Sequence, residues 1–309
     1  MAYGELAGVG PVQGLWAILP PLLLYALLGT SPQLSVGPES STAVMTAVAV
    51  APIAAAYGTD YAILAALLAC AVGVLCLVGY VARLGFLADL LSKPILIGYM
   101  TGVAVIMIAG QLSRVSGVPT EAESPVGQLV AFLTHLGQVH GPTLAVGSFV
   151  LVFLFAVQAR FPRAPGPLLA VLLVTAMVAL LGLDQQGVRV VGEIPAGLPH
   201  PVVPLASRQA GLQILAAAVG IAIVGYSDNV LTARALAARS HHTIDANQEL
   251  LALGVANLGA GLMQGFPVSS SASRAAIGDS LGSKSQVYSL TAFGVVIAVL
   301  LFLRPLLSM

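Results

Sequence analysis

An all-α, polytopic membrane fold with two interrupted helices is predicted by three observations. First, 58% of the 309 residues are hydrophobic and 8% are charged, with a mean hydropathy of +0.97. A soluble domain carries about 25% charge, so most of this chain must be solvated by lipid. Second, apolar runs able to cross about 30 Å of hydrocarbon recur along the chain. Third, two Pro-marked, Ser-rich breaks interrupt apolar stretches far apart: Ser35-Val36-Gly37-Pro38-Glu39-Ser40-Ser41 and Phe266-Pro267-Val268-Ser269-Ser270-Ser271-Ala272-Ser273-Arg274. A matched pair of Gly/Pro-interrupted segments in two halves of a membrane protein points to a binding site near the bilayer midplane.

The elements follow in order. Ala2 to Gly8 reads as the end of a membrane segment, followed by a span at 12–30. The run 35–56 opens on the first break, marked by Gly37 and Pro38, and places Glu39 in the first helical turn. The run 61–82 holds Cys70 and Cys76, roughly 9 Å apart on a helix and too distant for a disulfide; they read as small apolar side chains. Spans at 92–112, 142–160 and 165–183 come next, with 126–138 amphipathic, too short to cross, and placed at the interface. The stretch 184–208, with Gly192, Pro195, Gly197, Pro199, Pro201 and Pro204, reads as a structured loop between two halves. Spans at 209–237, 246–265 and 286–304 complete the set, with 267–282 a shorter, polar-headed segment behind Pro267. Asp245 and Gln248 match a capping box at the head of 246–265, so Asn247 and Glu249 need no catalytic explanation.

Basic residues orient the spans. With the 83–93 loop cytoplasmic, Arg83, Lys93, Arg160, Arg163, Arg234, Arg239 and Lys284 share that side, against Arg114, Arg189, Arg208 and Arg304 outside. Twelve basic and twelve acidic residues give zero formal charge, which argues against nucleic acid as a partner. No basic n-region precedes Tyr3-Gly4-Glu5, so no signal peptide is expected. Both chain ends read as cuts through membrane segments, and the expectation is a fragment.

The chemistry concentrates at the breaks. A helix that starts inside the bilayer aims unpaired N–H groups and a positive dipole end at its surroundings, an arrangement that favours an anion. Arg274 lies about one turn into the second broken helix, where a permanent, fork-shaped cation complements that head; pairing with a carboxylate is the alternative. Ser269, Ser270, Ser271 and Ser273, like Ser40 and Ser41, can cap amides or donate to a ligand. Ionisable groups inside lipid ask for a partner or a purpose. Asp228, within Gly225-Tyr226-Ser227-Asp228-Asn229, can bind Na⁺ or exchange a proton, or pair structurally with Arg274 or the backbone. Glu5 and Glu39 are further candidates, with capping an equal account of Glu39. His135, His140 and the adjacent His241-His242 form no metal motif, and no P-loop or dinucleotide loop is present. No cofactor is expected beyond Na⁺ or H⁺ as a coupling ion.

At these residues the chain resembles the SulP sulfate-permease family, to which prestin belongs. One match is Ala2-Tyr3-Gly4-Glu5-Leu6-Ala7-Gly8 with Gly14-Leu15 and Tyr25 through Gly37-Pro38. A second is Asp245-Ala246-Asn247-Gln248-Glu249-Leu250 with Gly254, Asn257 and Pro267 to Arg274. Lys93-Pro94-Ile95, Gly98-Tyr99 and Gln111 supply a weaker third. The resemblance implies part of a 7+7 inverted-repeat transporter fold, with broken third and tenth segments each entered through a short strand. It implies secondary active transport of sulfate, bicarbonate or chloride by alternating access. Ser273-Arg274 matches the family's anion-binding pair, and Asp228 falls where many members carry an acid facing the site. The implied layout is a core at 1–83 and 209–304 and a partial gate at 92–190, without the cytoplasmic STAS domain. A multi-pass cell-membrane (inner or plasma) protein, homodimeric in its full-length form, is the corresponding expectation. Competing readings are a nucleobase–cation symporter of the same architecture, an intramembrane enzyme, which would need paired carboxylates or zinc ligands, and an inactive fragment.

Overall fold

The structure is a computed structural model describing residues 2–89, 97–98, 101, 105, 108, 111–112, 115–118, 125–161, 164, 166–183, 185–188, 199–240, 242–280 and 282–302. The span expected at 92–112, with Lys93-Pro94-Ile95, lies largely outside them. The chain forms two compact units, residues 1–100 with 195–304, and residues 101–194 with 305–309.

The first unit begins with α1 (Ala2–Leu6), α2 (Pro11–Trp16) and α3 (Leu19–Leu28). The span predicted as continuous over 12–30 is thus two helices. Pro20 is the cause, because its ring lacks an N–H and collides with the carbonyl four residues back, at Trp16, where α2 ends. Strand β1 (Val36–Gly37) leads into α4 (Ser40–Tyr57), closed by Gly58 in the left-handed conformation at φ 60°. Helix α5 (Tyr61–Val81) is capped by the Asp60 carboxylate, which accepts from the Ala62 and Ile63 amides. A 3-10 segment, Leu84–Asp89, follows.

In the second unit, α6 (Pro125–Thr134) and a 3-10 turn (Leu136–Gln138) occupy the amphipathic stretch, followed by the apolar helices α7 (Gly141–Arg160) and α8 (Gly166–Leu181). No residue in the apolar window of α7 is buried, which suits a side-chain surface solvated by lipid.

The first unit resumes with α9 (Arg208–Ser240), 33 residues long, then α10 (Ala246–Leu262), strand β2 (Ser269–Ser270), α11 (Ala272–Ser280) and α12 (Val287–Phe302). Five helical stretches among the described residues are long and apolar enough to cross a membrane.

Helices α5 and α10 form the centre of this unit through small residues. A Cβ placed on Gly73 would sit 2.7 Å from the Leu258 amide and 2.8 Å from the Gly254 carbonyl. One on Gly261 would lie 2.6 Å from the Ala66 carbonyl. Backbones this close gain dispersion contact without a hydrophobic driving force, which is how helices associate in lipid. Gly73→Val is therefore expected to push the two backbones apart and destabilise the fold by about 1–3 kcal/mol or more. Thermal unfolding followed by size exclusion in detergent should show a lower transition temperature; an unchanged temperature counts against this packing.

The capping box at α10 is half formed. Asp245 accepts from the Asn247 and Gln248 amides, but the Gln248 side chain donates outward to the Leu28 carbonyl at 2.9 Å. The Asp245 amide, which that side chain would have served, donates to the Thr30 hydroxyl at 3.3 Å.

Candidate functional site

The two breaks meet. Strand β1 pairs antiparallel with β2, Val36 opposite Ser270 and Gly37 opposite Ser269, and the Ser271 amide extends the ladder to the Ser35 carbonyl at 2.9 Å. Both strands are buried. Pro38 ends one strand, since it has no N–H to donate. Beyond the strands, α4 and α11 start from neighbouring points.

Asn257 holds the second strand in place. Fully buried on α10, it accepts from the Val268 amide at 2.9 Å and donates to the Val268 carbonyl at 3.0 Å, as a neighbouring strand would. Sequence assigned Asn257 no role at the site, although an amide about three turns into an apolar helix is itself a signal.

Arg274 reaches from α11 to the other break. Its Nε donates to Ser35 Oγ at 3.2 Å and its Nη1 to the Pro38 carbonyl at 2.8 Å. Its Nη2 is buried without a hydrogen-bond partner among the described residues. No carboxylate there bonds the guanidinium. Gly37 makes room for it, because a Cβ at that position would lie 3.3 Å from Nη2 and 3.0 Å from Ile18 Cγ1. Ser35, which positions the Nε, was not singled out from sequence.

The serines divide by task. Ser269 donates to the Gly225 carbonyl of α9 at 2.7 Å, and Ser270 faces Asp228 at 3.5 Å. Ser271 accepts from the Arg274 amide and lies 3.2 Å from the Ser273 hydroxyl, which is exposed. At the first break, Glu39 is the residue that caps α4. Its carboxylate accepts from the Thr42 amide at 2.8 Å and from the hydroxyls of Ser40 and Ser41. The head of α4 thus carries a negative charge of its own, where the dipole favours one. Glu39 lies within electrostatic reach of both Asp228 and Arg274. Glu5, by contrast, is exposed on α1.

The structure also gathers a centre the sequence did not show. Glu249 is 0% exposed and bonded by Tyr25, Thr30 and Asn229. Among the described residues no three His, Cys, Asp or Glu side chains come together as a metal site.

Two helices that start head to head across a two-residue sheet, with an arginine between them, define a multi-pass membrane protein of the broken-helix transporter type. The model of the sulfate permease family matches residues 1–309. The chain belongs to that family, whose members are transporters and not enzymes. It is 49% identical over 309 residues to a probable sulfate transporter of Mycobacterium tuberculosis (strain CDC 1551 / Oshkosh), covering all of this chain and 55% of the relative. It thus spans about half the length of that relative. Its structure superposes on SLC26A9 with a TM-score of 0.88 at 25% identity, covering 100% of this chain and 53% of the other. The fold is also that of the transmembrane domain of the cyanobacterial bicarbonate transporter BicA, with a TM-score of 0.87 at 22% identity, covering 99% and 79%.

Proposed function

We propose that the complete protein carries out secondary active transport of an inorganic anion of the sulfate, bicarbonate or chloride class by alternating access, the anion being held between the heads of α4 and α11. The observation that carries this reading is the Arg274 guanidinium. Two of its nitrogens tie the second broken helix to the first, and the third, Nη2, is buried with no partner among the described residues. A buried donor on a charged group is costly to leave unpaired, and an oxyanion satisfies it with a charge-assisted bond. The name of the mycobacterial relative makes sulfate the first anion to test.

The charges at the site add a role for Asp228. With both carboxylates ionised, Arg274, Glu39 and Asp228 sum to +1 − 1 − 1 = −1 before any anion arrives. A proton or Na⁺ on Asp228 brings the sum to zero and lowers the electrostatic cost of loading. Asp228 is therefore the coupling group in this reading.

The deciding experiment is uptake of radiolabelled sulfate into proteoliposomes containing the full-length protein, with bicarbonate, chloride and uracil as competitors and imposed inward H⁺ or Na⁺ gradients. Sulfate uptake that the other anions inhibit and uracil does not is the expected result. Inhibition by uracil alone overturns it in favour of nucleobase transport. Asp228→Asn is expected to keep sulfate uptake without a gradient and to lose its acceleration by the gradient. Gradient dependence that survives in this variant removes Asp228 from the coupling role.

A further inference from the structure

Glu249 lies in the first turn of α10, near the head of a membrane helix, yet it is 0% exposed. Among the described residues its carboxylate meets only neutral donors. Tyr25 O–H reaches both oxygens at 3.1 and 3.0 Å. Thr30 presents its amide at 2.9 Å and its hydroxyl at 2.7 Å to Oε1, and Asn229 Nδ2 approaches Oε2 at 2.7 Å. The Tyr25 ring packs so tightly on Gly29 that a Cβ there would fall 2.4 Å from it, so the Tyr25 hydroxyl is held from α3 against the backbone itself.

A buried charge is costly, and an apolar side chain of similar volume would pack these helices without that cost. What the carboxylate adds is direction. Its partner Asn229 follows Asp228 in the chain. Successive helix residues project about 100° apart, so fixing Asn229 on one side of α9 fixes where Asp228 points on the other. Other bonds at this turn are neutral. Ser269 donates to the Gly225 carbonyl, and Tyr226 shares its hydroxyl proton between the carbonyls of Gly85 and Ala246, each at 2.7 Å. Among the described residues two bonds of this turn engage a carboxylate, the long Ser270–Asp228 contact at 3.5 Å and the short Asn229–Glu249 bond at 2.7 Å, and a charge-assisted bond is about twice as strong as a neutral one.

We propose that Glu249 is a positioning residue for the anion site: through Asn229 it sets the rotation of α9 at residues 225–229 and so holds Asp228 against Ser270 at the foot of α11. The proposal rests on reading the α11 head as the anion cradle. Glu249 does not touch the anion. Its removal should weaken loading while leaving the cation at the site in place.

Two readouts test this in the full-length protein. The first is the KM for sulfate in proteoliposomes. Glu249→Gln puts an amide donor against the donor of Asn229 or those of Thr30, and Asn229→Leu deletes the contact from the other side. Each is expected to raise KM about tenfold with a smaller change in maximal rate, and the double variant to be no worse than either single one. The reciprocal exchange Glu249→Gln with Asn229→Asp, which restores an amide–carboxylate contact, should recover part of the loss. The second readout needs no transport. With Cys70 and Cys76 replaced by alanine, Asp228→Cys and Ser270→Cys are joined by a short bifunctional methanethiosulfonate, and adding Glu249→Gln is expected to slow that cross-link severalfold. If KM and cross-linking both stay at the parent values, the proposal is overturned. Should Glu249→Gln fail to insert, Asn229→Leu decides by the same two measurements. A parent protein that takes up no sulfate, bicarbonate or chloride sinks the functional reading instead, and the cross-link still judges Glu249.

Discussion

Arg274→Ala is expected to abolish sulfate uptake by the full-length protein without loss of membrane insertion. A hydrogen bond to a charged group contributes about 1.5–3 kcal/mol, and each 1.4 kcal/mol is a factor of ten, so losing one anion contact costs roughly ten- to a hundredfold in affinity. The alanine variant loses more than that contact. It also releases Ser35 Oγ and the Pro38 carbonyl, the two points at which the second broken helix grips the first. With Glu39 still capping α4, the remaining charge at the site is negative, and an anion is repelled. Arg274→Lys separates charge from geometry. An ammonium keeps the positive charge but not the planar fork that serves Ser35, Pro38 and a ligand together. Weak uptake with a raised KM is the expected outcome. Equal activity of Ala, Lys and parent proteins would remove Arg274 from the site.

The second large effect is expected of Asn257→Leu, a residue that meets no ligand in this reading. The leucine fills a similar volume but strands the Val268 amide and carbonyl inside the protein. Each unpaired buried group costs about 1–3 kcal/mol, so the loss is roughly 2–6 kcal/mol and falls on the strand that opens α11. Uptake should disappear while α5 and α10, which meet through Gly73, Gly254 and Gly261, hold the unit together. Full transport by Asn257→Leu would mean that β2 needs no clamp.

Legibility from sequence followed the range of the interaction. The breaks at Gly37-Pro38 and Pro267 were readable because glycine, proline and serine act on their own backbone. Arg274 was readable because a permanent cation inside an apolar segment is expensive wherever it packs. The interruption of the first span at Trp16 was equally local and was missed only because Pro20 was counted inside an apolar run. Glu39 stood between two accounts, and the structure makes it the cap of α4. Its consequence, that Ser40 and Ser41 donate to that carboxylate, could not be read from spacing alone. Glu249 shows the limit most clearly. Beside Asp245 and Gln248 it reads as part of an open helix head, but Tyr25, 224 residues away in the chain, closes over it.

The sequence by itself determined that this is a multi-pass membrane protein, where most of the described helices run and where the two polar breaks fall. Apolar length and proline chemistry act within one segment, so those features needed no partner. Tertiary structure alone decided that Val36 faces Ser270, that Arg274 spans both breaks with Nη2 unpaired among the described residues, and that Glu249 and Asn257 hold the walls. Those bonds join different elements, Arg274 reaching the Pro38 carbonyl across 236 residues of chain, so the chemistry of one segment could not show them.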